Sequence, residues 1–149
     1  MTDSTQLAPS TTGEYVPGAP YIKVNLTRGR PYIETLRCEA CGSVFLKPHV
    51  ACANCGDRSG LTPARADEFG VLQTFTVVSR SFPGVVVPFV SAIVRFDDGV
   101  VLKGNLIEIE PDPAVIKVGM RVRLIFGDAN GQKDKDGNRY LAYFFKPAA

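Results

Sequence analysis

From residue 71 onward, apolar positions alternate with polar ones in short stretches separated by clusters of Gly, Pro, Asp and Asn. Such two-residue periodicity predicts strands, and it marks five of them, at 71–79, 89–96, 100–108, 121–126 and 139–146. No segment sustains the 3.6-residue periodicity of a long amphipathic helix, so the expected fold class is mainly β. Asp98-Gly99 between the second and third strands is a two-residue hairpin signal, because both positions of such a turn favour residues that tolerate positive φ. Those two strands are therefore expected to be antiparallel neighbours. Pro111, Asp112 and Pro113 close the third strand, and 115–118 suggests a short helical turn before Gly119. The stretch 127–138, dense in Gly, Asp, Lys and Asn, reads as a solvated, mobile loop.

The N-terminal part is built differently. Residues 1–20 are rich in Ser, Thr, Pro, Gly and Ala, with only Asp3 and Glu14 charged, so they bury too little to offset their ordering entropy and read as a flexible tail. Residues 21–27 fit either a short helix or an extended arm, which Arg28-Gly29-Arg30-Pro31 ends. A strand at 32–36 runs into a first cysteine pair, and a short strand follows at 44–46 before Pro48 and His49 turn the chain back. The expected organisation is a tail (1–20), an arm with a cysteine module (21–66) and a β domain (67–149).

The spacing Cys38-x-x-Cys41, ten residues, Cys52-x-x-Cys55 places a two-residue knuckle at each end of a tight hairpin. Each knuckle aims two thiolates at one point, and two facing knuckles make the four-sulfur tetrahedron that zinc accepts. Gly42 and Gly56, each just after a knuckle, supply the backbone freedom of the turn. Disulfides fit poorly with a chain that begins without a secretory signal. A redox Cys-x-x-Cys opens a helix in a βαβ setting that is missing here. A rubredoxin-type iron centre has the same ligands and stays open beside zinc. Either metal would have no free coordination position, so its role would be structural.

Composition narrows the function. With 149 residues, 45% of them hydrophobic, the chain suffices for one ordinary domain and a small module. Apolar runs fall well short of the roughly 20 residues of a membrane helix, and the expected location is the cytoplasm. A net charge of +2 with scattered Lys and Arg is weak ground for nucleic-acid binding. With all four cysteines assigned to metal there is no free thiol nucleophile, and the single histidine, His49, lies inside the cysteine hairpin, where it reads as a surface turn residue. A nucleophile needs a base held beside it and a third group orienting that base, so no catalytic residues are expected. The paired acids Asp97-Asp98 and Asp134-Asp136 are explained by turn chemistry.

The cysteine pattern Cys38-Glu-Ala-Cys41-Gly42 and Cys52-Ala-Asn-Cys55-Gly56, followed by Phe69-Gly70-Val71-Leu72-Gln73-Thr74-Phe75-Thr76-Val77-Val78, resembles the OB-fold acyl-CoA-associated family once catalogued as the thirty-fifth domain of unknown function. Pro88-Phe89-Val90, Ala92-Ile93-Val94, Leu102-Lys103-Gly104-Asn105-Leu106 and Val118-Gly119-Met120-Arg121-Val122 extend the resemblance over 31–146. Lys47-Pro48-His49 departs from it, since the family tends to have Pro followed by Arg there. The resemblance implies a rubredoxin-like zinc ribbon ahead of a five-stranded OB barrel. It also implies a small accessory subunit that accompanies thiolase-fold enzymes, acyltransferases or aldolases, or in some systems hot-dog-fold hydratases, acting on acyl-CoA thioesters. The partner would supply the chemistry, and this chain would shape its acyl-CoA site.

Contact candidates are few. The apolar residues Phe82, Val85, Val86 and Val87 lie in the 80–88 connection, as a protein interface if exposed and as ordinary core if folded inward. Lys47, Arg58, Arg65 and Arg80 are the candidate partners for CoA phosphates. A competing reading makes the chain a nucleic-acid-binding zinc-ribbon and OB protein, with Phe75, Phe96, Tyr140, Tyr143, Phe144 and Phe145 as stacking platforms.

Overall fold

The computed structural model describes residues 15–23, 30–46 and 50–148. Among the described residues ten strands follow one another: β1 (Tyr15–Pro17), β2 (Ile22–Lys23), β3 (Tyr32–Cys38), β4 (Val44–Leu46), β5 (Leu61–Arg65), β6 (Phe69–Val78), β7 (Phe89–Phe96), β8 (Val101–Leu106), β9 (Arg121–Lys133) and β10 (Arg139–Pro147). Two compact units result. One takes in the described residues up to Ala66 together with Phe126–Tyr143, and the other takes in Asp67–Ile125 with residues 144–148.

The second unit is organised by the alternation that marked it in the sequence. Along β7, Val90, Ala92, Val94 and Phe96 are buried while the residues between them are not, which is the two-residue period of a strand with one face on a core. Antiparallel pairing with β6 on one side and β8 on the other aligns these with Leu72 and with Leu102 and Leu106, all buried. Phe145 of β10 enters the same core, its ring 5.9 Å from that of Phe96 and tilted by 50°, a favourable aromatic arrangement. β10 joins β8 in parallel at Phe145–Leu106, β9 joins β6 in antiparallel, and β10 pairs with β9, so these five strands close into an OB-type barrel. The five strands expected from periodicity are the five of the barrel.

Three local expectations change. The hairpin at Asp98-Gly99 joins antiparallel neighbours, but its loop has three residues. Gly99 N–H donates to Phe96 O and Phe96 N–H to Val100 O, with only Gly99 of the loop at positive φ. This is the type I turn plus left-handed residue that follows two-residue loops in frequency, and Asp98 Oδ1 holds it by accepting from Val100 N–H. The helical turn sits earlier than expected, where Ile116 N–H reaches back to Asp112 O. The stretch read as a long loop is mostly strand, since β9 runs on to Lys133 and β10 begins at Arg139. Asn130 and Gly131 take positive φ inside β9, which absorbs the turn-forming residues without ending the strand. Only Asp134 and its neighbours form the turn, Asp134 Oδ1 accepting from the N–H groups of Asp136 and Asn138.

In the first unit β3 is central, antiparallel to β2, β4 and β5. Ile33, Thr35, Leu36 and Cys38 of β3 are buried, and the Thr35 hydroxyl donates to Ala64 O. Residues 15–17, part of the expected tail, form β1 and pair in parallel with residues 139–141 of β10. Ile22 and Lys23 are extended as β2, so this part of the 21–27 segment is an arm and not a helix. Residues 1–14, 24–27 and 47–49, including Lys47 and His49, lie outside the described residues. Among the described residues no helix is long and apolar enough to cross a membrane.

Candidate metal centre and contact surface

β3 ends on Cys38, and the chain then turns through two matching knuckles. Gly42 N–H donates to Cys38 O and Cys38 N–H to Ser43 O; fourteen residues on, Gly56 N–H donates to Cys52 O and Cys52 N–H to Asp57 O. Gly42 and Gly56 sit at φ of 80° and 83°, a left-handed conformation that a side chain disfavours. The repeated pattern delivers two cysteines from each turn to one place, Cys38 and Cys52 buried, Cys41 and Cys55 on the outer side.

The four Sγ atoms all lie within 4.8 Å of one another. Cys38 Sγ is 3.7 Å from Cys55 Sγ, and Cys41 Sγ is 3.6 Å from Cys52 Sγ. A disulfide would bring two sulfurs to about 2 Å, whereas a tetrahedral shell with metal–sulfur bonds of about 2.3 Å sets its sulfurs about 3.8 Å apart. The spacing is that of ligands around one ion, and the four cysteines can hold a metal.

The electrostatics agree with the geometry. Ser43 Oγ lies 3.3 Å from Cys41 Sγ, and that hydroxyl, joined by the Asn54 amide that donates to the same sulfur, holds the Cys41 thiol down at about 6. The Cys55 N–H and the Asn54 N–H, each 3.3 Å from Cys52 Sγ, lower Cys52. At Cys55 the backbone N–H of Asp57 acts to lower the thiol, but burial and the three neighbouring cysteines outweigh it and push it up to about 12. Hydrogen bonds thus favour thiolates on one side of the cluster, while crowding opposes ionising all four together. A divalent cation removes that conflict. The spacing of the cysteines made the site visible in the sequence; the supporting part of Asn54 was not, since an Asn between two cysteines has no signature of its own.

The apolar connection does not pack inward. Residues 79–88 are all exposed, and Phe82 and Val86 expose 82% and 81% of their surface. Val85 and Val87 are exposed as well, and Val85 N–H donates to Phe82 O in a turn at the tip. The segment is not core. Of the cationic candidates, Arg58, Arg65 and Arg80 are exposed, and the Arg65 guanidinium lies over the Tyr32 ring at 4.0 Å. Phe96 and Phe145, offered as stacking platforms, are buried in the barrel and present no face to a base.

A cleft of about 410 Å³ in the first unit, walled by Tyr21, Ile22, Gln132, Tyr140 and Tyr143, had no signal in the sequence because its wall combines residues of the expected tail and arm with Ala129 and Gln132 of the stretch read as a loop. Burial and then the neighbouring Tyr21 hydroxyl raise the Tyr143 phenol, which stays neutral. None of Arg58, Arg65 and Arg80 lines this cleft.

A closed OB-type barrel preceded by a four-cysteine module with metal-ligand geometry defines a ribbon-and-barrel protein. The family model of the ChsH2 C-terminal OB-fold domain matches residues 64–127. Two archaeal proteins described as DUF35 domain-containing scaffold proteins are similar: that of Methanothermobacter thermautotrophicus is 24% identical over 113 residues, covering 74% of this chain and 83% of the relative. That of Methanocaldococcus jannaschii is 26% identical over 115 residues, covering 75% and 79%. Among solved structures, a chain of the Ltp2-ChsH2(DUF35) aldolase superposes with a TM-score of 0.62 at 27% identity, over 79% of this chain and 86% of that one. The chain is thus similar to DUF35 OB-fold proteins in sequence and in fold.

Proposed function

We propose that the protein is a non-catalytic accessory subunit of a heteromeric thiolase-type acyl-CoA enzyme, an acyltransferase or aldolase, and that its four cysteines hold one structural zinc. The observation that carries this reading is the match, over most of both chains, to the subunit of an aldolase complex. The scaffold description of the two archaeal relatives points the same way. With four sulfurs already bound, zinc has no open position for a substrate, so the ion supplies fold, and the residues of this chain position β3 and the two knuckles around it. Carbon–carbon bond chemistry on a thioester needs a nucleophile and a placed base. Every cysteine here is in the cluster, and the chain has one histidine. The partner therefore carries the reacting groups.

On this reading the exposed segment with Phe82 and Val85–Val87 packs against the partner. Interfaces concentrate their energy in a few such apolar anchors. Arg80 beside that segment, with Arg58 and Arg65 in the ribbon, are exposed cations that a CoA phosphate could meet. Co-expression with a thiolase-fold protein encoded next to this one, followed by size exclusion and metal analysis, tests the assignment. The expected result is co-elution with about one zinc per chain. Separate elution of the two proteins contradicts it, and so does iron in place of zinc for the metal.

A further inference from the structure

β6 has a neighbour on both sides along only part of its length. Residues 69–71 pair with β9, and Leu72 completes that side through bonds to Met120 O and Gly119 N–H. A bulge follows between Leu72 and Thr74. From Thr74 to Val78 the strand pairs with β7 alone, Thr74 opposite Ile93 and Val78 opposite Phe89. Among the described residues no strand and no other backbone bond takes up the N–H and C=O groups on the opposite side. The side chains record the same gap. Phe75 and Val77 stand opposite Ala92 and Val90, which are buried, yet they are themselves only half-buried.

Single-chain proteins guard such edges with lysine, proline or an inward-pointing charge, because an open row of backbone groups is a template for another strand. Residues 73–78 read Gln-Thr-Phe-Thr-Val-Val and contain none of these. The bulge lies at the start of the segment and leaves the residues after it in regular register. The composition also bears on the occupant. A neutral strand set antiparallel to its own copy places no like charges opposite one another. A two-fold arrangement closes on itself, so it adds one copy and stops.

We propose that residues 73–78 are a homodimerisation edge, at which β6 of one copy pairs antiparallel with β6 of a second copy about a two-fold axis near Phe75 and Thr76. The two sheets become continuous, and the half-buried Phe75 and Val77 gain cover. This assembly does not depend on which enzyme the chain accompanies.

Analytical ultracentrifugation of the full chain over about a hundredfold range of concentration reads the assembly directly, and hydrogen exchange on the same samples locates it. The expected result is a monomer–dimer equilibrium in which the amides of 73–78 slow as concentration rises. Thr76 is exposed, so Thr76→Lys leaves the barrel intact but sets two lysines near the axis, and it should weaken the dimer about tenfold. Mixing Thr76→Lys with Thr76→Glu should restore it, which also shows that both variants fold. A monomer at every concentration overturns the proposal, as does a dimer indifferent to Thr76→Lys whose 73–78 amides exchange freely. Protection of 73–78 that arises only when a partner enzyme subunit is added overturns it too, and assigns the edge to that partner.

Discussion

Asn54 stands between the two cysteines of the second knuckle, yet its side-chain amide serves a sulfur of the first, donating to Cys41 Sγ. Groups that orient and stabilise ligands are typically worth about 10- to 100-fold in metal affinity. Asn54→Ala should therefore weaken metal retention by about that factor in a chelator competition while leaving the barrel folded. Cys52→Ser should go further and release the metal, with loss of structure in the first unit, as seen by metal analysis and hydrogen exchange. The cysteines were legible because metal ligation imposes a spacing on the chain, whereas a donor such as Asn54 needs only to arrive nearby and leaves no periodic trace. In the barrel unit, Arg121 makes two hydrogen bonds to Asp97, of 2.8 and 3.0 Å, and holds its carboxyl below the usual range. A carboxylate lowered in this way contributes stability that is present above its unfolded value and is lost as pH falls through the lower folded one. Asp67 behaves oppositely, raised first by burial and then by Asp98 and Asp97, so its contribution is lost as pH rises through its folded value. Asp97→Asn removes the paired carboxylate and, in part, relieves Asp67. The direct pair dominates, so the variant should be slightly less stable than the wild type at neutral pH. The difference should vanish in acid below the ordinary aspartate range, as measured by urea melts at the two pH values.

At the scale of elements, the barrel strands were legible because each buries one face, and burial of one face forces the alternation seen along β7. The distal part of β9 was not, because its Gly, Asp and Asn residues have the composition of a loop while hairpin pairing with β10 still holds them extended. The β7–β8 hairpin was placed correctly as a pair of neighbours, but its turn was not, since Asp97 is as much a turn residue as Asp98 and extends the loop by one. The apolar connection between β6 and β7 could not be assigned from sequence at all, because Phe82 with three valines has the same composition in a core as on a contact surface. Its exposure decides what a substitution should do. Phe82→Asp meets no packed neighbour to disturb, so the barrel's circular dichroism and the metal content should be unchanged. Affinity for the proposed enzyme partner should fall by about 2 kcal/mol or more if Phe82 is a central anchor. Titration calorimetry against the partner reads that loss; unchanged affinity would move the interface elsewhere.

For the molecule as a whole, the order of parts was more informative than any single motif. Four-cysteine hairpins and β barrels are each common, but their succession, together with the residues that open the barrel strands, carried the resemblance. What the order of parts leaves open is the division of labour; the function proposed above assigns the chemistry to the partner because every cysteine of the sequence falls in the cluster and the sequence holds one histidine. The most direct measurement is turnover of an acyl-CoA thioester by the isolated chain, by the thiolase-fold partner and by the reconstituted pair. The account predicts no turnover by the isolated chain and activity in the pair that survives substitution of every acidic residue and the histidine of this chain one at a time but not of the partner's nucleophile. Turnover by the isolated chain, abolished by substituting one of its own side chains, would contradict it.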